Sequence, residues 1–345
     1  MLGVRTNYRR SDWYVAMRLD PSRDNVLSQR DDTRHNELRA KMAAGYSGKE
    51  VENLENRIDQ CVLDLCQLIE RKYLSTEQDY KPLDFGRKAQ YFTLDVISNV
   101  AFDEPFGFLD NDADIHRYIQ TTEENLPAII LVSVLPWLNW ALQSPLLKSL
   151  LPSEKDPIGL GKIIGLAGSD TTATALRGTL LHILSTPRVH ARLLAEIAAA
   201  APSRPIKDAE ARQMPYLQAV IKEGLRIFPP VTGLMSKDVP KGGDTYNGLY
   251  IPDGTKIGYC AWGVFRRKEI WGEDAAVFRP ERWLDGSSEK VREMEATLEL
   301  VFGYGRWQCL GKNVALIELN KVFVESSNSG IFMQSEMWIR ASKKD

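Results

Sequence analysis

Over residues 31–75, and again over 84–100, apolar side chains return at the three-and-four spacing of an amphipathic helix. Leu54, Ile58, Cys61, Leu65, Leu68 and Ile69 share one face and charged residues take the other. The same period runs over 168–184 and halts before Thr186-Pro187, resumes over 188–201 up to Pro202, and returns over 215–228 up to Pro229-Pro230. Each stop falls at a proline, which biases the residue before it away from helical geometry. The stretch 125–147 is uncharged and largely apolar, but Pro127, Pro136 and Pro145 would each interrupt helical hydrogen bonding. It therefore predicts two short helices, buried or lying on a membrane surface, rather than one membrane span.

From 231 to 261 the helical period is lost among Gly, Pro, Asp and β-formers, which predicts short strands and hairpins. Residues 278–284 read as an ordered loop around Pro280-Glu-Arg-Trp, 311–325 as a helix, and 331–340 as a terminal hairpin. Helices with a small strand-rich part suit one mostly-α domain over 1–345 better than a doubly wound sheet.

Composition narrows the function classes. The 345 residues suffice for a sizeable core, and 43% hydrophobic with 26% charged residues place the chain among globular proteins. Lys plus Arg total 44 against 46 acidic residues, so no net field draws nucleic acid or another polyanion. Cysteines at 61, 66, 260 and 309 form no disulfide framework and no CxxC pair, which suits a reducing, intracellular compartment. The first ten residues carry neither a signal peptide core nor a membrane anchor.

Chemistry enters at Phe302-Gly-Tyr-Gly-Arg-Trp-Gln-Cys309-Leu-Gly311. Gly303, Gly305 and Gly311 let the backbone turn tightly and approach a flat partner, and a helix starts just beyond. A cysteine beside a helix N-terminus has its thiolate favoured by exposed amides, the state a metal ligand requires. By itself it could equally be a buried cysteine in a turn.

The run Phe-x-x-Gly-x-x-x-Cys-x-Gly resembles the haem-binding loop of the cytochrome P-450 family, and three further segments resemble family motifs in the expected order. The resemblance implies a cytochrome P-450-like helical fold and a haem-thiolate monooxygenase. Its cofactor would be haem, iron protoporphyrin IX, with the axial thiolate from Cys309. Phe302 would pack over the haem, and Gly303, Gly305, Trp307 and Gly311 would shape its loop. Electrons would come from an NADPH-cytochrome reductase-type donor, with O2 and a small apolar organic substrate as the other partners.

In Ala167-Gly-Ser-Asp-Thr-Thr-Ala-Thr174, poor helix formers crowd a helical pattern. The resemblance makes this the oxygen-activation groove, with room at Gly168 and proton relay by Asp170 and Thr171. Read alone, the segment is also a helix cap. Glu223 and Arg226 stand at i and i+3 and could be an ordinary surface pair. With Arg282 of Pro280-Glu-Arg-Trp, they resemble the buried network that braces the haem loop. His35 and Arg39, at i and i+4, resemble the pair that holds a haem propionate, or else form a solvated basic face.

Three departures stand out. Where the family usually has Arg or His two residues before the cysteine, this chain has Trp307, with Arg306 one place early. This variant resembles fungal members of the pisatin demethylase-like subgroup, which implies a role in fungal secondary metabolism. The family's N-terminal anchor and first sheet region find no match in the residues that precede His35. Only ten residues separate Asp156 from Ala167, and the helix ending at Glu325 runs straight into Ser326-Ser-Asn-Ser-Gly330. Apparent deletions near 157–166 and 325–330 thus predict an incomplete fold. They also open an alternative, a truncated, non-catalytic protein that keeps the haem-ligand loop. An O2-independent isomerase or dehydratase is disfavoured by Asp170-Thr171.

Overall fold

The apolar stripes become the principal helices. The computed structural model describes residues 6–18, 24–46, 53–76, 78–135, 137–138, 141, 169–233, 235–328, 331–335 and 338–341. The longer helices are α1 (Asp32–Tyr46), α2 (Leu54–Lys72), α3 (Phe85–Phe102), α4 (Tyr118–Val134), α5 (Ser169–Leu184), α6 (Pro187–Ala200), α7 (Pro215–Ile227), α8 (Ser288–Leu298) and α9 (Lys312–Asn328).

α2 buries Leu54, Ile58, Cys61, Val62, Leu65, Leu68 and Ile69, the stripe expected from spacing. It packs on α3 and α9; α3 also packs on α5, which contacts α7 and α9. Burying one such side chain stabilises by about 1.5–3 kcal/mol, so this shared seam holds the helices together. α6 and α7 each begin at a proline in the first turn, where a missing N–H costs nothing.

The structure corrects the sequence reading in four places. The helical period over 31–75 is two helices, and the second is entered through Asn53 in a left-handed conformation (φ 61°). Pro127 lies within α4 rather than ending it. The carbonyl it leaves unpaired belongs to exposed Glu123, where water can satisfy it. Nor is this helix buried, since Leu126, Ile130, Leu131 and Val134 are 48–64% exposed. Pro136 and Pro145 lie outside the described residues. The 278–284 loop contains a short helical turn, Arg282–Asp285, and α9 continues past Glu325 to Asn328.

The strands are short. β1 (Arg9–Arg10), β3 (Lys237–Asp238) and β6 (Lys256–Ile257) form one antiparallel sheet in the order β1-β3-β6. β4 (Asp244–Tyr246) and β5 (Leu249–Ile251) form a hairpin. The terminal hairpin, β7 (Ile331–Ser335) and β8 (Trp338–Ala341), joins β2 (Leu83–Asp84) through β8. Among the described residues no helix is long and apolar enough to cross a membrane.

Candidate functional site

The loop before α9 is shaped by backbone rather than side chains. A 3-10 turn over Glu299–Phe302 is followed by Gly303 at φ 74° and Gly305 at φ 63°, both in the region that favours glycine. A Cβ on Gly303 would lie 3.0 Å from the Trp307 carbonyl oxygen. The chain then closes, and the Cys309 N–H donates to the Phe302 carbonyl at 2.6 Å. Phe302 is half-buried, with Lys312 Nζ 5.5 Å from its ring centre. Gly311 lies beside Cys309 Sγ and the Tyr46 ring, each 3.9 Å from where a Cβ would sit, an ordinary contact distance.

Cys309 itself is exposed, yet enough protein surrounds the sulfur that desolvation pushes its thiol pKa up. The Gly311 and Lys312 amides at the start of α9, with the Arg39 guanidinium, act in the opposite direction. A free thiol facing two amides and a guanidinium is a donor that a bound metal would convert to thiolate.

α1 delivers His35 and Arg39 to the same loop. The His35 ring centre is 4.0 Å from that of Trp307, and Arg39 Nη1 donates to the Gln308 carbonyl at 2.5 Å. His35 is 1% exposed, so the solvated-face reading does not hold for it. Burial, and next the charge of Arg10, pull its pKa down to about 4. Arg306 pairs with Asp32 at 2.5 Å.

Arg10 was not among the residues singled out in the sequence. Its guanidinium lies over Trp307 at 4.0 Å from the ring centre and over Tyr14 at 4.6 Å. The strand pairing that buries it joins positions 227 residues apart, for which no local pattern exists.

α5 places Asp170 and Thr171 in its first described turn; Gly168 lies outside the described residues. Burial raises the Asp170 carboxyl, opposed by a hydrogen bond from Gln90 on α3 and by the Arg177 charge. α5 packs on α9, the helix that leaves the cysteine loop.

Glu223, Arg226 and Arg282 form one buried cluster. Arg226 meets Glu223 with Nε to Oε2 at 2.9 Å and Nη2 to Oε1 at 2.7 Å. Arg282 Nε and the Arg279 amide donate to Oε1 at 3.0 and 2.9 Å, and Trp283 Nε1 donates to Oε2 at 3.0 Å. Both guanidinium groups also donate to carbonyls, including those of Phe265, Ala275 and Trp271, and Arg282 Nη1 meets the Asp274 carboxylate at 3.0 Å. This ties α7 to the segment at 265–283 through satisfied polar groups rather than exposed charge.

Known proteins resolve what this arrangement is. The family model described as Cytochrome P-450 matches residues 6–153 and 162–325. The chain belongs to the cytochrome P-450 family. It is 42% identical over 376 residues to cytochrome P-450 monooxygenase ABA1 of Pyricularia oryzae, covering 94% of this chain and 73% of that protein. It is 33% identical over 408 residues to cytochrome P-450 monooxygenase aba1 of Botryotinia fuckeliana, covering 99% and 80%. Pisatin demethylase of Fusarium vanettenii is 26% identical over 386 residues, covering 95% and 73%. A crystal structure of a mutant cytochrome P-450 haem domain superposes with a TM-score of 0.72 at 17% identity, covering 99% of this chain and 82% of that one. The mostly-α fold is therefore that of a cytochrome P-450. The family's cofactor is haem with a cysteine thiolate ligand, and the curated relatives are named as monooxygenases.

The residues of the site suit that cofactor. Cys309 is exposed with a free thiol, the loop beside it carries no Cβ at Gly303 and Gly311, and the buried Arg10 guanidinium lies on Trp307.

Proposed function

We propose that this chain is a haem-thiolate monooxygenase in which Cys309 is the iron ligand, inserting one oxygen atom of O2 into a small apolar organic substrate of fungal secondary metabolism. The observation that carries the reading is the seat of Cys309. Its N–H is bound back to Phe302, the residue is exposed and its thiol free, and amides and a guanidinium face the sulfur. When bound, haem supplies dioxygen activation, which no side chain here can perform. The chain's own residues do the rest. Arg39 holds the loop through Gln308, Phe302 and Gly303 fix its turn, and the Glu223, Arg226 and Arg282 cluster braces the segment behind it. Asp170, its carboxyl pKa raised by burial, and Thr171 pass protons toward the oxygen-binding side.

Electrons come from an NADPH-cytochrome reductase-type partner. The same reading takes the chain as intracellular and lets the exposed apolar face of α4 touch a membrane surface peripherally. The test is turnover of haem-loaded protein with such a reductase under 18O2 against a panel of small apolar organic substrates. One labelled oxygen per product, dependent on NADPH, supports the reading; unlabelled product, or product formed without reductase, contradicts it.

A second reading, a truncated and non-catalytic relative, is favoured by a different observation. The alignment with the Botryotinia relative spans 408 positions against 345 residues, so at least 63 positions have no residue in this chain. The family match is also interrupted between 153 and 162. The first supports missing segments, and the second falls beside the deletion expected near 157–166. Thermal unfolding with and without haem separates the two readings, because a ligand bound only by the folded state raises Tm. No rise favours the truncated relative.

A further inference from the structure

Asp170, Thr174 and Arg177 stand on one face of α5, at the spacings of four and three that stack side chains along a helix. That face meets α3, where Gly86 and Gln90 stand one turn apart. At one end of the seam the Arg177 stem lies over Gly86, where a Cβ would sit 3.2 Å from Arg177 Cδ. The guanidinium turns along α5 to Thr174, its Nη2 donating to Oγ1 at 2.9 Å. At the other end the side chain of Gln90 is hydrogen-bonded to that of Asp170, and both residues are half-buried.

Burial is the largest influence on the Asp170 carboxyl and favours its neutral form. The Gln90 bond and the Arg177 charge favour the anion. Glu123 of α4, itself paired with Arg87 of α3 at 3.3 Å, disfavours it. A side-chain amide suits a place between these tendencies because it carries both a donor and an acceptor. Its NH2 donates to a carboxylate, and after a half-turn its carbonyl accepts from the protonated acid, whereas Lys or Arg could hold only the anion. A group that gives up a proton and takes one back from water needs such a partner to keep its place in both states.

We infer that Gln90 is a positioning residue of the proton relay, holding the side chain of Asp170 in both of its protonation states from across the α3–α5 seam. The inference rests on the relay role of Asp170 proposed above. Gln90 acts through Asp170, from a helix that carries none of the family motifs found in the sequence.

The experiment follows the Asp170 carboxyl by infrared difference spectroscopy of the haem-loaded chain through pH, with Asp170→Asn identifying its band, beside the pH dependence of turnover in the 18O2 assay. Gln90→Leu raises the Asp170 midpoint by about one pH unit, a tenfold change in its dissociation constant, because a donor to the anion is lost. The band of the neutral acid changes frequency in the same variant, because its acceptor is lost as well. The high-pH limb of turnover follows the midpoint upward, since the relay needs the protonated acid. A merely structural Gln90 would lower Tm and leave both midpoint and band in place, which overturns the inference and leaves the relay role of Asp170 standing. A raised midpoint with the neutral band unmoved means that only the anion is held, and also overturns it. If Gln90→Leu fails to fold, Gln90→Met, which keeps the length and removes the amide, decides by the same readings. A raised midpoint that leaves the limb of turnover fixed, or full turnover in Asp170→Asn, overturns the relay reading and the inference with it.

Discussion

Arg226 grips Glu223 with two hydrogen bonds, of 2.9 and 2.7 Å, across one turn of α7, and neither side chain has any exposed surface. A pair at this spacing on a helix surface would contribute about 0.2–0.5 kcal/mol. Buried, and shared with Arg282, Trp283 and the Arg279 amide, it becomes a joint on which α7 and the 265–283 segment both depend.

Glu223→Ala leaves the buried Arg226 guanidinium without a carboxylate, leaves Arg282 with Asp274 alone, and strands an indole N–H. Stability should fall by about 3–5 kcal/mol, read as a lower urea midpoint with an unchanged slope. A loss below about 1 kcal/mol would mean that the cluster relaxes to water.

At Gly224, α7 lies close against α5. A Cβ there would sit 2.0 Å from Thr179 Oγ1 and 2.7 Å from Thr179 Cβ. Gly224→Ala should destabilise by about 1–3 kcal/mol, and Thr179→Ala in the same chain should recover part of that loss because the β-carbon contact remains. Simple additivity of the two changes, measured by denaturant unfolding, would contradict the contact.

His35 predicts a pH dependence. Its folded pKa of about 4 lies below the ordinary 6.5, so between those values the unfolded chain binds more protons. The contribution is complete above about pH 6.5 and is lost as pH falls toward 4, for a total on the order of 3 kcal/mol. His35→Phe keeps an aromatic ring against Trp307 and cannot titrate. It should therefore lose less stability than wild type between pH 7 and pH 4.5; parallel losses would remove His35 from the account.

Asp170→Asn keeps the size of a buried group and removes its proton. Turnover should drop by roughly 100-fold while haem uptake stays at the wild-type level. Unchanged turnover would exclude Asp170 from proton delivery.

The sequence carried the elements whose cause is local. The stripe from Leu54 to Ile69, the proline-bounded α6 and α7 and the hairpin at 331–340 all follow from period and turn chemistry, and the structure holds them. The placements of Cys309, Glu223, Arg226 and Arg282 came from motif resemblance. The geometry of the Glu223 cluster depends on a contact between residues 59 apart, Arg282 and Glu223, and could not be read from spacing. Arg10 was invisible for the same reason. Proline at 127 misled because its effect depends on exposure: the carbonyl it frees faces water, so α4 runs on.

The most direct measurement is the ferrous carbon monoxide spectrum of the haem-loaded chain. A cysteine thiolate opposite carbon monoxide gives a red-shifted Soret band. The account predicts that band in wild type and its loss in Cys309→Ala, with the fold retained by circular dichroism. Absence of the band in wild type, or its persistence in Cys309→Ala, would contradict Cys309 as the ligand.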